Sequence, residues 1–181
     1  AKVFGASLDR PAQPEAGYVH GGVSLIITNC WASRIMEHGK DFLGRWVWVT
    51  LRGKKQERLT VAAMYRPNQG YTTDGPLTVW AQQRARLQEL ALERGDTAEV
   101  DPRERCLTDL KKWVDQRRNR GDKVVILTDA NQSLSDSTGT FSLCNLVEEC
   151  QMHSVLEDKY PEQTLRSVAR GSKTIDHILT A

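Results

Sequence analysis

Two carboxylates stand where a carboxylate is costly. Asp129 ends the apolar run Lys123-Val124-Val125-Ile126-Leu127-Thr128, and Asp176 is flanked by Ile175, Ile178 and Leu179. A carboxylate in or at the end of a core strand needs a partner, a metal or a catalytic task. The plainer alternatives are an Asx turn at Asp129-Ala130-Asn131 and a salt bridge at Asp176. Asp129 and Asn131 are two apart, so on an extended backbone both project from one face. That would set an acceptor and an amide donor around a water and a phosphoryl oxygen. Tyr65-Arg66-Pro67-Asn68 closes another β-rich run. Its phenol can donate to a phosphate oxygen and Asn68 can touch a nucleic-acid backbone. Otherwise Pro67 simply ends a ladder and Asn68 starts a turn.

Other reactive types carry less. His177 follows Asp176 directly, so on a strand it faces away from that carboxylate and serves packing or surface contact. His20, His38 and His153 read as loop-like or helix-end residues with no local acidic partner, which argues against a general base. Cys30, Cys106, Cys144 and Cys150 have no CxxC spacing and read as reduced, partly buried thiols. Lys111, Lys112, Arg117, Arg118 and Arg120 crowd one helix end, as a solvated face does, with a DNA-binding patch as the alternative. Trp46 and Trp48 alternate on a strand and read as core.

These groups need strands and helices to hold them. Gly21 to Thr28, Arg45 to Arg52 and Arg58 to Tyr65 read as three strands of an antiparallel meander, with Gly53 to Gln56 as a hairpin loop. In the second, Trp46, Trp48 and Thr50 face one way, and Val47, Val49 and Leu51 the other. Pro76 suits a first helical turn, with the helix running from Leu77 to Arg94 before Gly95. Asp101-Pro102-Arg103-Glu104 supplies an N-cap, Pro at N1 and an acid at N3. Cys106, Leu107, Leu110, Trp113 and Val114 form the apolar stripe of that helix, which Gly121 closes. Lys123 to Thr128 predicts a strand buried on both faces. A short helix over Ser142 to Cys150 and a strand over Lys173 to Leu179 follow. The order βββ-α-α-β-α-β is a mixed α/β (α+β) arrangement with helices set against sheets.

The ordered segments Gly21-Gly22-Val23, Gly44-Arg45-Trp46, Tyr65-Arg66-Pro67-Asn68, Val125 to Asn131, Thr164 and Ser172 to Leu179 resemble the endonuclease/exonuclease/phosphatase family. The resemblance covers nearly the whole chain from Gly21 onward, in the flavour of abasic-site and LINE-type retrotransposon endonucleases. Gln82 and Gln83 point weakly to the retrotransposon branch. It implies a partial four-layer α/β/β/α sandwich with mixed sheets and a Mg²⁺- or Mn²⁺-dependent endonuclease acting on DNA. Tyr65 would hold the scissile phosphate and Asn68 the substrate backbone. Asp129 would orient or deprotonate the attacking water, and Asn131 would bond the phosphate or nucleophile. Asp129 and Asn131 are the candidate metal-site residues, and Asp176 would orient a catalytic histidine. Thr128, Thr174 and Leu165 stand where that family usually has Gly, Arg and an aromatic.

The family's upstream Asn and metal-binding Glu strands have no match before Gly21, where Glu15 lies in a Pro-rich context. Its Ser-Asp-His strand has no match before Ala181. The expectation is one domain over 1–181, truncated at both ends, with 1–20 an extended segment. Weak or absent activity and dimerisation through exposed strand edges are expected for it. Two other readings stand beside the nuclease: a non-catalytic interaction module of the same fold, and a phosphatase, lipid phosphodiesterase or RNase. The 39% apolar and 27% charged fractions fit a globular chain, and the net charge of +2 permits nucleic-acid binding without requiring it. No apolar run would span a bilayer and no leader is evident, so a nuclear or cytoplasmic setting is expected.

Overall fold

The computed structural model describes residues 1–9, 21–69, 75–96, 99–136, 141–160 and 174–181. Glu15, His20, Thr164, Leu165 and Ser172-Lys173 of the expected motifs lie outside them. The strands are β1 (Lys2–Ala6), β2 (Val23–Ile27), β3 (Ile35–Lys40), β4 (Trp46–Arg52), β5 (Arg58–Tyr65), β6 (Asp122–Asp129), β7 (His153–Ser154) and β8 (Asp176–Thr180). The helices are α1 (Asn29–Ala32), α2 (Val79–Glu93), α3 (Pro102–Asn119), α4 (Leu143–Glu149) and α5 (Val155–Lys159).

A six-stranded sheet runs β3-β4-β5-β6-β8-β7, and β1 and β2 form a separate antiparallel ribbon. Among the described strands only β5 and β6 pair in parallel, joined by the crossover through α2 and α3. β4 is buried on both faces, and its alternation assigns each side. Trp46 and Trp48 pack with Leu107, Leu110, Trp113 and Val114 of α3. Val47, Val49 and Leu51 pack with Ala6, Leu25 and Ile27 of the ribbon. The layers are therefore helices, large sheet and small sheet.

In the opening segment, Lys2–Ala6 forms a strand that pairs with β2 in register Lys2↔Ile27 to Ala6↔Val23. Three expectations about the elements are corrected. The meander is β3-β4-β5, because β2 leaves for the ribbon and the short strand β3 takes its place beside β4. α2 starts at Val79 rather than Leu77, since the Thr78 side chain accepts from the Ala81 N–H and sets the cap there. β6 is not buried on both faces: Val124 and Ile126 are fully buried under α3, whereas Leu127 is 38% exposed.

The expected cap of α3 is present, with Asp101 Oδ1 accepting the Arg103 N–H at 2.8 Å. Gly44 has φ +71°, and a Cβ there would lie 2.3 Å from the Ser7 carbonyl carbon. Only glycine lets the turn before β4 approach β1's exit so closely. Beside it Arg45 is fully buried, bonded to both oxygens of Asp41 and to Asp109 of α3. Arg117 is also buried, its guanidinium 3.6 Å from the Trp48 ring centre and paired with Glu37 and Asp122. It is part of the core, not of a solvated basic face. The thiols Cys106 and Cys150 are buried, Cys144 is half-buried and Cys30 is exposed.

Candidate active site

The C-terminal ends of β5 and β6 and the start of β8 meet at one edge of the large sheet. Tyr65 lies opposite Asp129 in the parallel register, and Asp129 lies opposite Asp176 in the antiparallel one. The three residues thus form a row across neighbouring strands, about 4.8 Å per step. Backbone bonds extend the row beyond the strands: Arg66 N–H donates to the Asp129 carbonyl at 2.9 Å, and Ala130 N–H to that of Ile175 at 2.9 Å. The Tyr65 N–H donates to the Arg45 carbonyl at 2.8 Å, which ties the row to the buried Arg45.

Asn131 joins the row by a different route from the one its spacing predicts. The strand stops at Asp129, and Asn131 has φ +48° in the left-handed region that asparagine tolerates. Its N–H reaches Asp129 Oδ1 at 3.3 Å, an Asx-type turn, and its amide Nδ2 donates to the Arg66 carbonyl at 2.7 Å. The turn carries the side-chain amide back beside Tyr65, where it opposes the rise that burial and Asp129 give the phenol pKa. The Asx turn and the convergence therefore occur together. Asn68 is exposed beyond Pro67 and lines a polar cleft of about 620 Å³ with Arg66, Arg103, Asn131, Gln132 and Phe141.

The electrostatics follow from burial and neighbours. Burial raises the Asp129 carboxyl above the ordinary aspartate range; the facing Asp176 charge adds to the rise and the Asn131 N–H opposes it. Burial and then Asp129 raise the Tyr65 phenol, so it is a neutral hydroxyl at pH 7 and a donor. Asp129 and Asp176 also border an apolar hollow of about 420 Å³ with Leu127, Leu156 and Ile178.

His177 turns into the core, 2% exposed, with Nε2 3.0 Å from the Gln132 carbonyl oxygen. This matches its expected facing away from Asp176. His38 and His153 are corrected: they lie on strands, His38 on the edge strand β3 and His153 on β7, opposite Thr180 at the far end of β8. His153 has an acidic neighbour after all, Asp158 at 4.0 Å.

Sequence reasoning missed three groups here. Arg103, in the first turn of α3, donates to the carbonyls of Pro67 at 2.5 Å and Asn131 at 3.2 Å, stapling the two strand-end loops together. Arg66 is 3% exposed and donates to Gln132 Oε1 at 2.6 Å and the Arg103 carbonyl at 3.2 Å. Burial and the neighbouring Arg103 bring Arg66 down to about 10. Gln132 also accepts the Leu143 N–H at 3.1 Å, linking the loop to α4. The local signal for Arg103 was hidden inside its capping motif.

The raised Asp129 pKa fixes the sign of a stability change. Between the ordinary aspartate pKa and the raised folded value, the folded chain holds a proton that the unfolded chain has released. Stability from this group therefore falls as pH rises through that window. Asp129→Asn removes the slope: without added metal, the variant should gain on wild type in melting temperature as pH rises above the ordinary aspartate pKa. A gap that is constant over this range would contradict the assignment.

No protein-family model matches the chain, and no curated protein matches it in sequence. Solved structures do. The catalytic domain of human Nocturnin, solved with bound sulfate, aligns with a TM-score of 0.52 and 12% identity, covering 99% of this chain and 60% of that one. The Xenopus laevis APE2 catalytic domain aligns at 0.42 and 16% identity, covering 77% and 46%. An endonuclease/exonuclease/phosphatase family protein from Bacteroides thetaiotaomicron aligns at 0.41 and 12% identity, covering 81% and 50%. The chain has the endonuclease/exonuclease/phosphatase type of fold and spans about 60% of the length of the Nocturnin domain.

Proposed function

We propose that this protein cleaves phosphodiester bonds in DNA with the help of a divalent metal, Mg²⁺ or Mn²⁺. The observation that carries the reading is the row Tyr65-Asp129-Asp176 on three adjacent strands, with the Asn131 N–H donating to the Asp129 carboxylate. Tyr65, neutral at pH 7, donates to a non-bridging phosphate oxygen. Asn131 orients the phosphate or the attacking water, and Asn68 contacts the flanking backbone. Asp129 draws the proton of the attacking water, and its raised pKa suits a base better than that of an ordinary aspartate.

The residues present fit a hard cation. All the donors are oxygens, and two carboxylates lie abreast, so their repulsion is relieved by positive charge. Among the described residues no cluster of three or more His, Cys, Asp and Glu forms a cage. Mg²⁺ commonly takes one or two carboxylates and completes its shell with substrate phosphate and water. Asp129 and Asn131 would hold it, and it would supply Lewis acidity to the phosphate and charge for the leaving oxygen. Asp176 would orient a histidine in this scheme. None of the described histidines does so, because His177 faces the core and His38 and His153 lie on distant strands.

The test is nicking of supercoiled plasmid. Slow nicking with Mg²⁺ that stops on chelation is expected, in keeping with the weak activity expected from the sequence, and Tyr65→Phe should slow it further by at least about tenfold, a typical loss for one transition-state donor. Absence of nicking, or nicking that survives chelation, would defeat the reading. Turnover confined to small phosphate esters would move the substrate elsewhere.

A further inference from the structure

We propose that a basic hollow at the opposite end of the large sheet binds the phosphate groups of a single-stranded nucleic acid. The hollow, about 300 Å³, is lined by Ser33, Arg34, Ile35, Arg52, Gly53 and Lys54, and Lys55 follows directly. It lies where β4 ends and β5 begins. Tyr65 closes the other end of β5, seven residue steps away, so about 23 Å separates the hollow from the Tyr65 row. The inference rests on charge and shape at this end and not on the reading of the Tyr65 row.

Charge sets this hollow apart. Three cations line it and no carboxylate does. Several cations elsewhere are paired: Arg45 with Asp41 and Asp109, Arg58 with Glu37 and Asp122, Arg105 with Asp109, Arg117 with Glu37. Among the described residues Arg34, Arg52, Lys54 and Lys55 form no ion pair. The one acid close by in the hairpin, Glu57, is taken by Lys123 at 2.9 Å. Arg52 sits opposite Arg58 across the β4–β5 ladder, so its nearest strand neighbour is a like charge. Clustered, unpaired cations repel one another, and an anion relieves that repulsion.

The backbone holds the cluster in shape. Arg52 N–H donates to the Arg34 carbonyl at 2.8 Å, and Gly53 N–H to that of Glu57 at 2.7 Å. The guanidinium and ammonium groups are thus presented from a fixed frame, as phosphate recognition favours. Trp31, 46% exposed, stands beside them with the Arg34 guanidinium 5.0 Å from its ring centre. An exposed indole among cations offers a base a stacking surface next to its phosphate. Four cations also exceed what one free phosphate neutralises, which favours a chain of phosphates.

The test is anisotropy of a labelled single strand of about 15 nucleotides with the whole chain, in chelator so that metal-dependent cleavage is silent. Arg34→Gln/Arg52→Gln/Lys54→Gln should weaken binding at least tenfold at about 50 mM salt and flatten the slope of log K against log salt by about 2. Trp31→Leu should weaken it severalfold. Lys112→Gln, an exposed charge on α3, should stay within twofold. Should the triple variant fold poorly, Lys54→Glu alone must weaken binding more than Lys54→Gln. Wild type that fails to bind, or a triple variant within twofold of it, overturns the proposal. Displacement of the strand by submillimolar inorganic phosphate does so too, assigning the hollow to the free ion. Loss of plasmid nicking with this binding intact would strike only the reading of the Tyr65 row.

Discussion

Asp129→Ala should lower metal-dependent cleavage by about 10²–10⁴-fold, the range expected when a positioned base is removed. The substitution deletes the central member of the row and leaves Tyr65 and Asp176 without a carboxylate between them. The fold should survive it, because Asp129 is a strand-end group whose own side chain accepts only the 3.3 Å Asn131 N–H among the contacts seen. Single-turnover nicking, with circular dichroism on the same sample, separates the two effects. Cleavage within about threefold of wild type would remove Asp129 from the chemistry.

The second large effect concerns Arg45. Arg45→Met should cost about 3–5 kcal/mol of stability, since it leaves Asp41 buried without its counter-charge. Asp41 is 7% exposed and keeps two backbone donors, Leu43 N–H at 3.1 Å and Arg45 N–H at 3.2 Å. These soften the loss and do not cancel it. Arg45→Lys should recover little, because an ammonium is a point charge without the planar fork that spans both Asp41 oxygens and Asp109. The damage should extend to the Tyr65 row, whose first member hangs on the Arg45 carbonyl. Urea unfolding measures the first effect. A change below about 1 kcal/mol, the level of a surface pair, would contradict it.

Local chemistry made some of this architecture legible. Asp101-Pro102 announced the start of α3, and the spacing of Leu107, Leu110 and Val114 announced its buried side. The alternation in β4 assigned each residue to the correct face. The ribbon and the edge strand were not legible. β1 has three exposed residues of five, Lys2, Val3 and Gly5, and β3 spells Ile-Met-Glu-His-Gly-Lys, with half-buried and exposed positions alternating. Neither shows an apolar run, since each is stabilised by a neighbour and not by its own composition.

Long-range contacts hid the rest. Arg117 lies three and four residues beyond Val114 and Trp113, on the buried stripe of α3, yet its charge placed it with the solvated face. The ring of Trp48 and the carboxylates of Glu37 and Asp122 reverse that assignment. For Asn131, spacing predicted the right neighbourhood by the wrong geometry. A left-handed residue after the strand, not a longer strand, brings its amide to Tyr65. Arg103 acts through partners 36 and 28 residues away, and Gln132 through Arg66, 66 residues away, and His177, 45 residues away, so nothing local to either announced those bonds.

The most direct measurement is a crystal structure of the protein with Mn²⁺ and a short phosphorothioate oligonucleotide, the metal located by its anomalous signal. The expected result is one phosphate in hydrogen-bond reach of Tyr65 and Asn131, with the cation against Asp129. A phosphate and cation bound elsewhere, with the Tyr65, Asp129, Asn131 and Asp176 side chains touching neither, would contradict the account.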